Sequence, residues 1–219
     1  MYNNRTASSN YSPRPQLGIG RVIPQRFIPP HPNETPESLF PPQINRSSVP
    51  NSMRFIHRNF PHTFLVFTDG ISIDNVNAGC AFVFMPQYHN ADPPGHIRFR
   101  LENEGPTGEE HSPTSCRAEL RAALEAIRFC PWTGEGFDRM VIATASAYVF
   151  QGITNGARNW RHNGWRTSTR RPVQNRDLWQ YLLGEIERWH DTGMTIEFWH
   201  ISRELNAHAN YHARLAAVI

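Results

Sequence analysis

Two hydrophobic periods alternate along residues 63–219 and predict a sheet with helices on its faces. Residues 63–69 (Thr-Phe-Leu-Val-Phe-Thr-Asp) are an apolar run closed by a carboxylate, the pattern of a strand covered on both sides. Residues 77–84 predict a second strand after a short turn, and the alternation in 96–102 a third, half-exposed one. Residues 114–127 change to helical spacing, with apolar positions at Ala118, Ala122 and Ile127 and at Leu120 and Leu124. Thr114 or Ser115 can cap that helix. A fourth strand over 139–144 runs into a short helix over 146–155. A long helix over 177–192, a fifth strand over 194–201 and a closing helix over 207–218 complete the series. This order makes an α/β fold, a five-stranded mixed sheet flanked by helices.

Composition divides the chain near residue 62. Residues 1–62 hold 11 of the 18 prolines, seven arginines and two acids, Glu34 and Glu37. Proline removes a backbone donor and fixes φ, so 1–62 is expected to be a disordered basic tail rich in Pro, Arg and Asn. Such a tail could add sequence-independent phosphate contacts, or serve as a linker or targeting segment. Residues 63–219 are then one folded domain, and the chain's 39% apolar content suffices for one core. The net charge is +3, and all 22 basic residues are arginine, whose planar fork suits phosphates and stacks on bases. Cys80, Cys116 and Cys130 are odd in number and lack metal-ligand spacing. Without a signal-like start, the expectation is an intracellular protein, nuclear or cytoplasmic. No apolar run nears the roughly 18 residues that span a bilayer, so no membrane partner is expected, and no protein partner is indicated.

Candidate chemistry gathers in the second half. Residues 140–149 (Met-Val-Ile-Ala-Thr-Ala-Ser-Ala-Tyr-Val) read as a buried strand entering a helix. Trp-Arg-His-Asn-Gly-Trp-Arg-Thr-Ser follows at 160–168, and Pro-Val-Gln-Asn-Arg-Asp-Leu-Trp at 172–179. Together with Thr68-Asp69-Gly70, Arg117-Ala118-Glu119-Leu120 and the run from Arg203 to Asn210, this ordered set resembles the ribonuclease H family over roughly residues 63–218. The resemblance implies the ribonuclease H-like fold and cleavage of the RNA strand of an RNA–DNA hybrid, leaving a 3′-hydroxyl and a 5′-phosphate. Two Mg²⁺ ions would activate a water and stabilise the leaving oxygen.

Four acidic positions supply the ligands in that family. Asp69 matches the first and Glu119 the second, and these two are the expected metal ligands here. Ala145 stands at the third and Asn210 at the fourth, where the family carries Asp. Two Mg²⁺ would bring +4 against only −2, so the resemblance, with these changes, implies weak Mg²⁺ binding at best and reduced or absent cleavage. Asp74, His208 and His212 are conceivable substitutes, each read as an ordinary surface residue. Residues 202–205 (Ser-Arg-Glu-Leu) replace the His-bearing loop of some members. Ala147 also replaces a frequent acid, and Ser115-Cys116 replaces the usual Asn-Gln. Changes this scattered favour natural decay over deliberate inactivation.

The parts that would hold a duplex are better kept. Between Gly152 and Arg176 lie six arginines, one histidine and no acid, matching the family's basic protrusion. By resemblance, Arg158, Arg161, Arg166, Trp160, Thr167, Ser168 and Tyr148 line the DNA-strand channel. Thr114 and Asn175 match the DNA-phosphate pocket, and Asn75 an RNA-contacting residue. Arginine gives salt-dependent phosphate contacts, and aromatic faces pack on sugars or bases. The reading is a domain that binds RNA–DNA hybrid or another duplex through the Arg/Trp protrusion and carries a degenerate Mg²⁺ site, with weak or no cleavage. The alternative is an active two-metal RNA–DNA hybrid endoribonuclease, or an inactivated variant of one.

Overall fold

The structure is a computed structural model, and it describes residues 16–74, 76–86 and 94–219. In chain order the elements are β1 (Gln25–Arg26), α1 (Pro36–Leu39), β2 (Pro42–Asn45), β3 (Ser52–His57), β4 (Phe60–Ile73), β5 (Asn77–Val83) and β6 (His96–Arg100). There follow α2 (Ser115–Arg128), β7 (Arg139–Thr144), α3 (Ala147–Gln151), α4 (Ala157–Trp160), α5 (Arg176–Asp191), β8 (Thr195–His200) and α6 (Ala207–Ala217). A π-helical turn, Gly152–Gly156, joins α3 to α4. Each strand and helix expected beyond residue 63 is present, and Thr114 caps α2 as its side chain accepts from the Arg117 N–H.

The long strand β4 is the centre of the sheet. β7 pairs with it in parallel, from Thr63 opposite Arg139 to Thr68 opposite Thr144, and β8 pairs in parallel with β7. β5 runs antiparallel along its C-terminal half, and β6 lies beyond. Side chains alternate along β4, so Phe64 and Val66 enter one core with Leu120 and Leu124 of α2 and Leu182 and Ile186 of α5. Leu65 and Phe67 enter a second core on the other face with Trp199, Ile201 and Ala209. Both faces are covered, which is why β4 reads as an unbroken apolar run.

Among the described residues the sheet has eight strands rather than five, and the three extra strands come from the stretch expected to be a disordered tail. That expectation fails from residue 16 onward; residues 1–15 lie outside the described residues. The β2–β3 hairpin pairs with the N-terminal half of β4, and β1 extends the sheet in parallel beside β8. Leu39 and Phe40 are fully buried in the second core. Phe27 lies 5.0 Å from the Trp199 ring and Phe55 5.4 Å from Phe67. Burying each such side chain stabilises by about 1.5–3 kcal/mol, enough to order a chain of low regular propensity. The prolines stand where they do no harm. Pro36 opens α1 behind a capping box in which Thr35 and Ser38 bond reciprocally, and Pro42 begins an edge strand.

Upstream of β1 the chain crosses α5 and reaches the α3–α4 region. Gly18 sits on the α5 backbone, where an added Cβ would fall 2.2 Å from the Gly184 nitrogen. The Arg21 N–H donates to Glu187 (2.9 Å), and its guanidinium pairs with Asp191. Arg26 donates to Gln151 (3.0 Å) and lies over the Phe150 ring. Among the described residues, no helix is long and apolar enough to cross a membrane.

Candidate functional site

Asp69 and Glu119 meet because β4 and α2 touch backbone to backbone. At Gly70 an added Cβ would lie 2.1 Å from the Glu119 nitrogen, so only glycine lets the strand carrying Asp69 come this close to the helix carrying Glu119. Thr68 and Thr144 are partners in the parallel ladder, which sets Asp69, within β4, beside Ala145, just past the end of β7. Asn210 arrives from α6 and completes the group, so the structure brings all four expected positions together. The carboxylates number two.

Each carboxylate is held by donors of the chain itself. Asp69 is buried; its Oδ1 accepts from the Gly70 N–H and its Oδ2 from the Asn210 amide, both at 2.9 Å. Burial raises its pKa, and the Asn210 hydrogen bond and the charges of Arg203 and Arg214 oppose that rise. Ser146, the N-cap of α3, accepts from the Val149 N–H and donates its own proton to Glu119 Oε2 at 2.6 Å. Burial pushes Glu119 up to about 7, with Ser146 opposing and the Asp69 charge adding to the rise. The orientation of the Asn210 amide is fixed from two sides. Its nitrogen faces an acceptor, Asp69, while its oxygen accepts from Arg214 Nε at 3.1 Å, and a flipped amide would lose both bonds.

The basic protrusion stands beside this group on a packed aromatic base. Trp160 lies 5.4 Å from the fully buried Trp179 and 6.2 Å from Trp165, and Arg176 covers the Trp165 ring. Tyr148 packs on Trp179 at 5.3 Å, and its hydroxyl accepts from Trp179 (3.2 Å) and from Asn175 (3.1 Å). Asn175, at a left-handed φ of 55°, accepts in turn from Arg117, whose backbone N–H bonds the Thr114 hydroxyl. Thr114 and Asn175 are thus joined through one residue. Arg117 is itself buried and clasps Asp177 with two hydrogen bonds, at 3.0 and 2.7 Å. Arg158, Arg166, Ser168, Arg170 and Arg171 are exposed and Thr167 is half-buried. Arg161, by contrast, donates to the Gly20 carbonyl, so the N-terminal strap holds the protrusion through it. Asn75 lies outside the described residues.

A sequence model of the family RNase H matches residues 61–211, the larger part of the chain. The chain belongs to the ribonuclease H family. It is 36% identical to the ribonuclease H of Afipia carboxidovorans over 137 residues, 59% of this chain and 78% of that protein. With the ribonuclease H of Treponema pallidum it shares 32% identity over 118 residues, 53% of this chain and 69% of the other. The ribonuclease H of Nitrobacter hamburgensis is 40% identical over 99 residues, 43% of this chain, and there the match spans 62% of the relative's length. Among solved structures, the N-terminal RNase H domain of a Mycobacterium tuberculosis protein aligns with a TM-score of 0.46 and 16% identity, over 71% of this chain and 94% of that one.

The ribonuclease H family uses Mg²⁺, and the donor set of this chain does not fit the two-ion form of that chemistry. Among the described residues, no three His, Cys, Asp or Glu side chains come together to hold an ion. Asn210 presents its NH₂ to Asp69, where a ligand would present oxygen. None of the conceivable substitutes joins Asp69 and Glu119. Asp74 is exposed at a turn with φ 54°, and His208 lines an apolar cavity with Phe55 and Phe67. His212 is buried, not superficial as expected; it stacks 3.6 Å from His96, and burial pushes its pKa down to about 4.

Two features of this site escape sequence reasoning, and a third does not. Ser146 as the clamp on Glu119 depends on α2 meeting the start of α3, a long-range contact. The Arg117–Asp177 pair joins two helix starts far apart in sequence. Arg214 was within reach, since it stands one helical turn after Asn210 and four residues apart means one face.

Proposed function

We propose that this ribonuclease H relative binds RNA–DNA hybrids, or a closely similar duplex, and cleaves them weakly or not at all. One observation carries this reading: the Asn210 amide donates to Asp69 at 2.9 Å, so that a residue standing at a ligand position acts as a donor. With Ala145 contributing nothing, Asp69 and Glu119 are left to face a phosphate and any Mg²⁺. The duplex-holding surface supports the binding half of the proposal. Arg158, Arg166, Arg170 and Arg171 are exposed on the protrusion that carries Trp160, while Tyr148, Asn175 and Thr114 are linked by hydrogen bonds, Thr114 through Arg117. Charge of this kind gives salt-dependent affinity for phosphates without sequence choice.

The deciding experiment incubates the purified full chain with a labelled RNA–DNA hybrid in excess Mg²⁺ or Mn²⁺, beside a variant carrying Ala145→Asp and Asn210→Asp. Cleavage by the restored variant alone is the expected result. Cleavage by the native chain, abolished by Glu119→Gln, would establish the second reading, an active endoribonuclease with an unusual metal site. The family match itself favours keeping that reading in view.

A further inference from the structure

The carboxylate pair is closed by the chain's own donors, and we infer that it serves as a metal-independent seat for a backbone phosphate, with Arg203 and Arg214 providing the positive charge. This deepens the hybrid-binding function and rests on it.

Charge decides the matter first. A centre of four carboxylates is strongly negative and repels a phosphate until divalent ions occupy it. Here the two carboxylates contribute at most −2, and two arginines stand close enough to offset them. The field of Arg203 stabilises negative charge on both Asp69 and Glu119, and that of Arg214 does so on Asp69. The local sum is therefore near zero without any ion. A phosphate approaching along the duplex meets no net repulsion.

Geometry decides the second part. Arg214 donates through Nε to Asn210, Asn210 donates to Asp69, and Ser146 donates to Glu119. Both carboxylates accept from donors of the protein itself, Asp69 at both oxygens and Glu119 at Oε2, which lessens their need for a cation. Arg214 uses Nε for Asn210, and its two Nη groups have no hydrogen-bond partner among the described residues. Arg203 is exposed on the loop just before α6. Two exposed guanidinium groups whose charge offsets the carboxylate pair match a phosphodiester, which accepts hydrogen bonds and carries one negative charge. With Asp at 210, Arg214 would be drawn into an ion pair with it and Asp69 would face a second carboxylate, which would restore the need for a cation.

The test measures affinity for a labelled RNA–DNA hybrid by fluorescence anisotropy at fixed ionic strength, in EDTA and in Mg²⁺. The native chain is expected to bind equally in both, within about twofold. Arg203→Ala with Arg214→Ala is expected to bind several-fold more weakly in both, and to lose part of the salt dependence. The Ala145→Asp, Asn210→Asp variant is expected to bind poorly in EDTA and to recover with Mg²⁺. A thermal unfolding titration of the protein alone with Mg²⁺ gives a second readout. The native Tm should stay put while that of the restored variant rises. Native affinity or native Tm climbing with Mg²⁺ would overturn metal independence, and native-like binding by the double arginine variant would overturn the phosphate seat. Absence of hybrid binding in every condition would instead remove the proposed function on which the seat depends.

Discussion

Glu119→Gln should stabilise the protein above neutral pH and leave it nearly unchanged in acid. The carboxyl of Glu119 is pushed from an ordinary 4.5 up to about 7, first by burial, with Ser146 opposing the rise and the charge of Asp69 adding to it. A folded value raised above the unfolded one means that the fold favours the protonated form. The associated stability is fully present below pH 4.5 and is lost as pH rises through about 7. At 1.36 kcal/mol for each pH unit, the loss amounts to about 3 kcal/mol by pH 8.5. Glutamine is close in shape to the protonated acid, can still accept from Ser146, and does not titrate. Urea unfolding followed by tryptophan fluorescence at pH 5.0 and 8.5 gives the comparison directly. The expected difference between variant and native protein is about 1 kcal/mol or less at the lower pH and about 3 kcal/mol, in favour of the variant, at the higher. Adding Asp69→Asn should shrink this gap without closing it, since burial is the larger cause. A difference that does not change with pH would show that Glu119 is neither buried nor raised, and its enclosed seat between Asp69 and Ser146 would be refuted with it.

Other consequences can be measured independently. Arg117→Leu should cost about 3–5 kcal/mol, because Asp177 is left charged and buried, while joint replacement with Asp177→Leu should recover much of the loss. Burial opposes the charge on Asp177, yet the paired hydrogen bonds from Arg117 hold its pKa below the ordinary value. That contribution is present above the usual carboxylate range and is lost as pH falls through the lowered value, so the native chain should lose more stability in acid than the double variant. Leu39→Ala should cost about 2–5 kcal/mol in urea unfolding, an outcome impossible for a residue in a disordered tail. Replacing Arg158, Arg166, Arg170 and Arg171 with Ala should flatten the dependence of log affinity on log salt by about 0.9 for each phosphate the protrusion no longer neutralises. An unchanged slope would remove the protrusion from the binding surface.

Much of the fold was open to inspection in the chain. The apolar run at 63–69, the helical spacing at 114–127 and the alternation at 194–201 are local signals, and local periodicity reports which faces are covered. They located β4, α2 and β8 to within a few residues. The site positions came from the family resemblance of the short motifs around them, which lie within β4 at Asp69 and one turn into the capped α2 at Glu119. The failure came in residues 16–62, where high proline content argues against regular structure. Leu39, Phe40, Phe27 and Phe55 are scattered among prolines with no period, and their burial depends on a sheet face that the rest of the chain leaves open.

The sequence by itself determined the order of elements beyond residue 63 and the family. Those are matters of residue type and spacing, and they need no third dimension. The tertiary structure alone decided how the reduced site satisfies itself: that Asn210 turns its amide toward Asp69, that Ser146 clamps Glu119, and that Arg214 anchors the amide. It also decided that Arg161 reaches back to the strap at Gly20. Hydrogen bonds are directional and reach about 3 Å, so they exist only once residues distant in the chain have been set face to face.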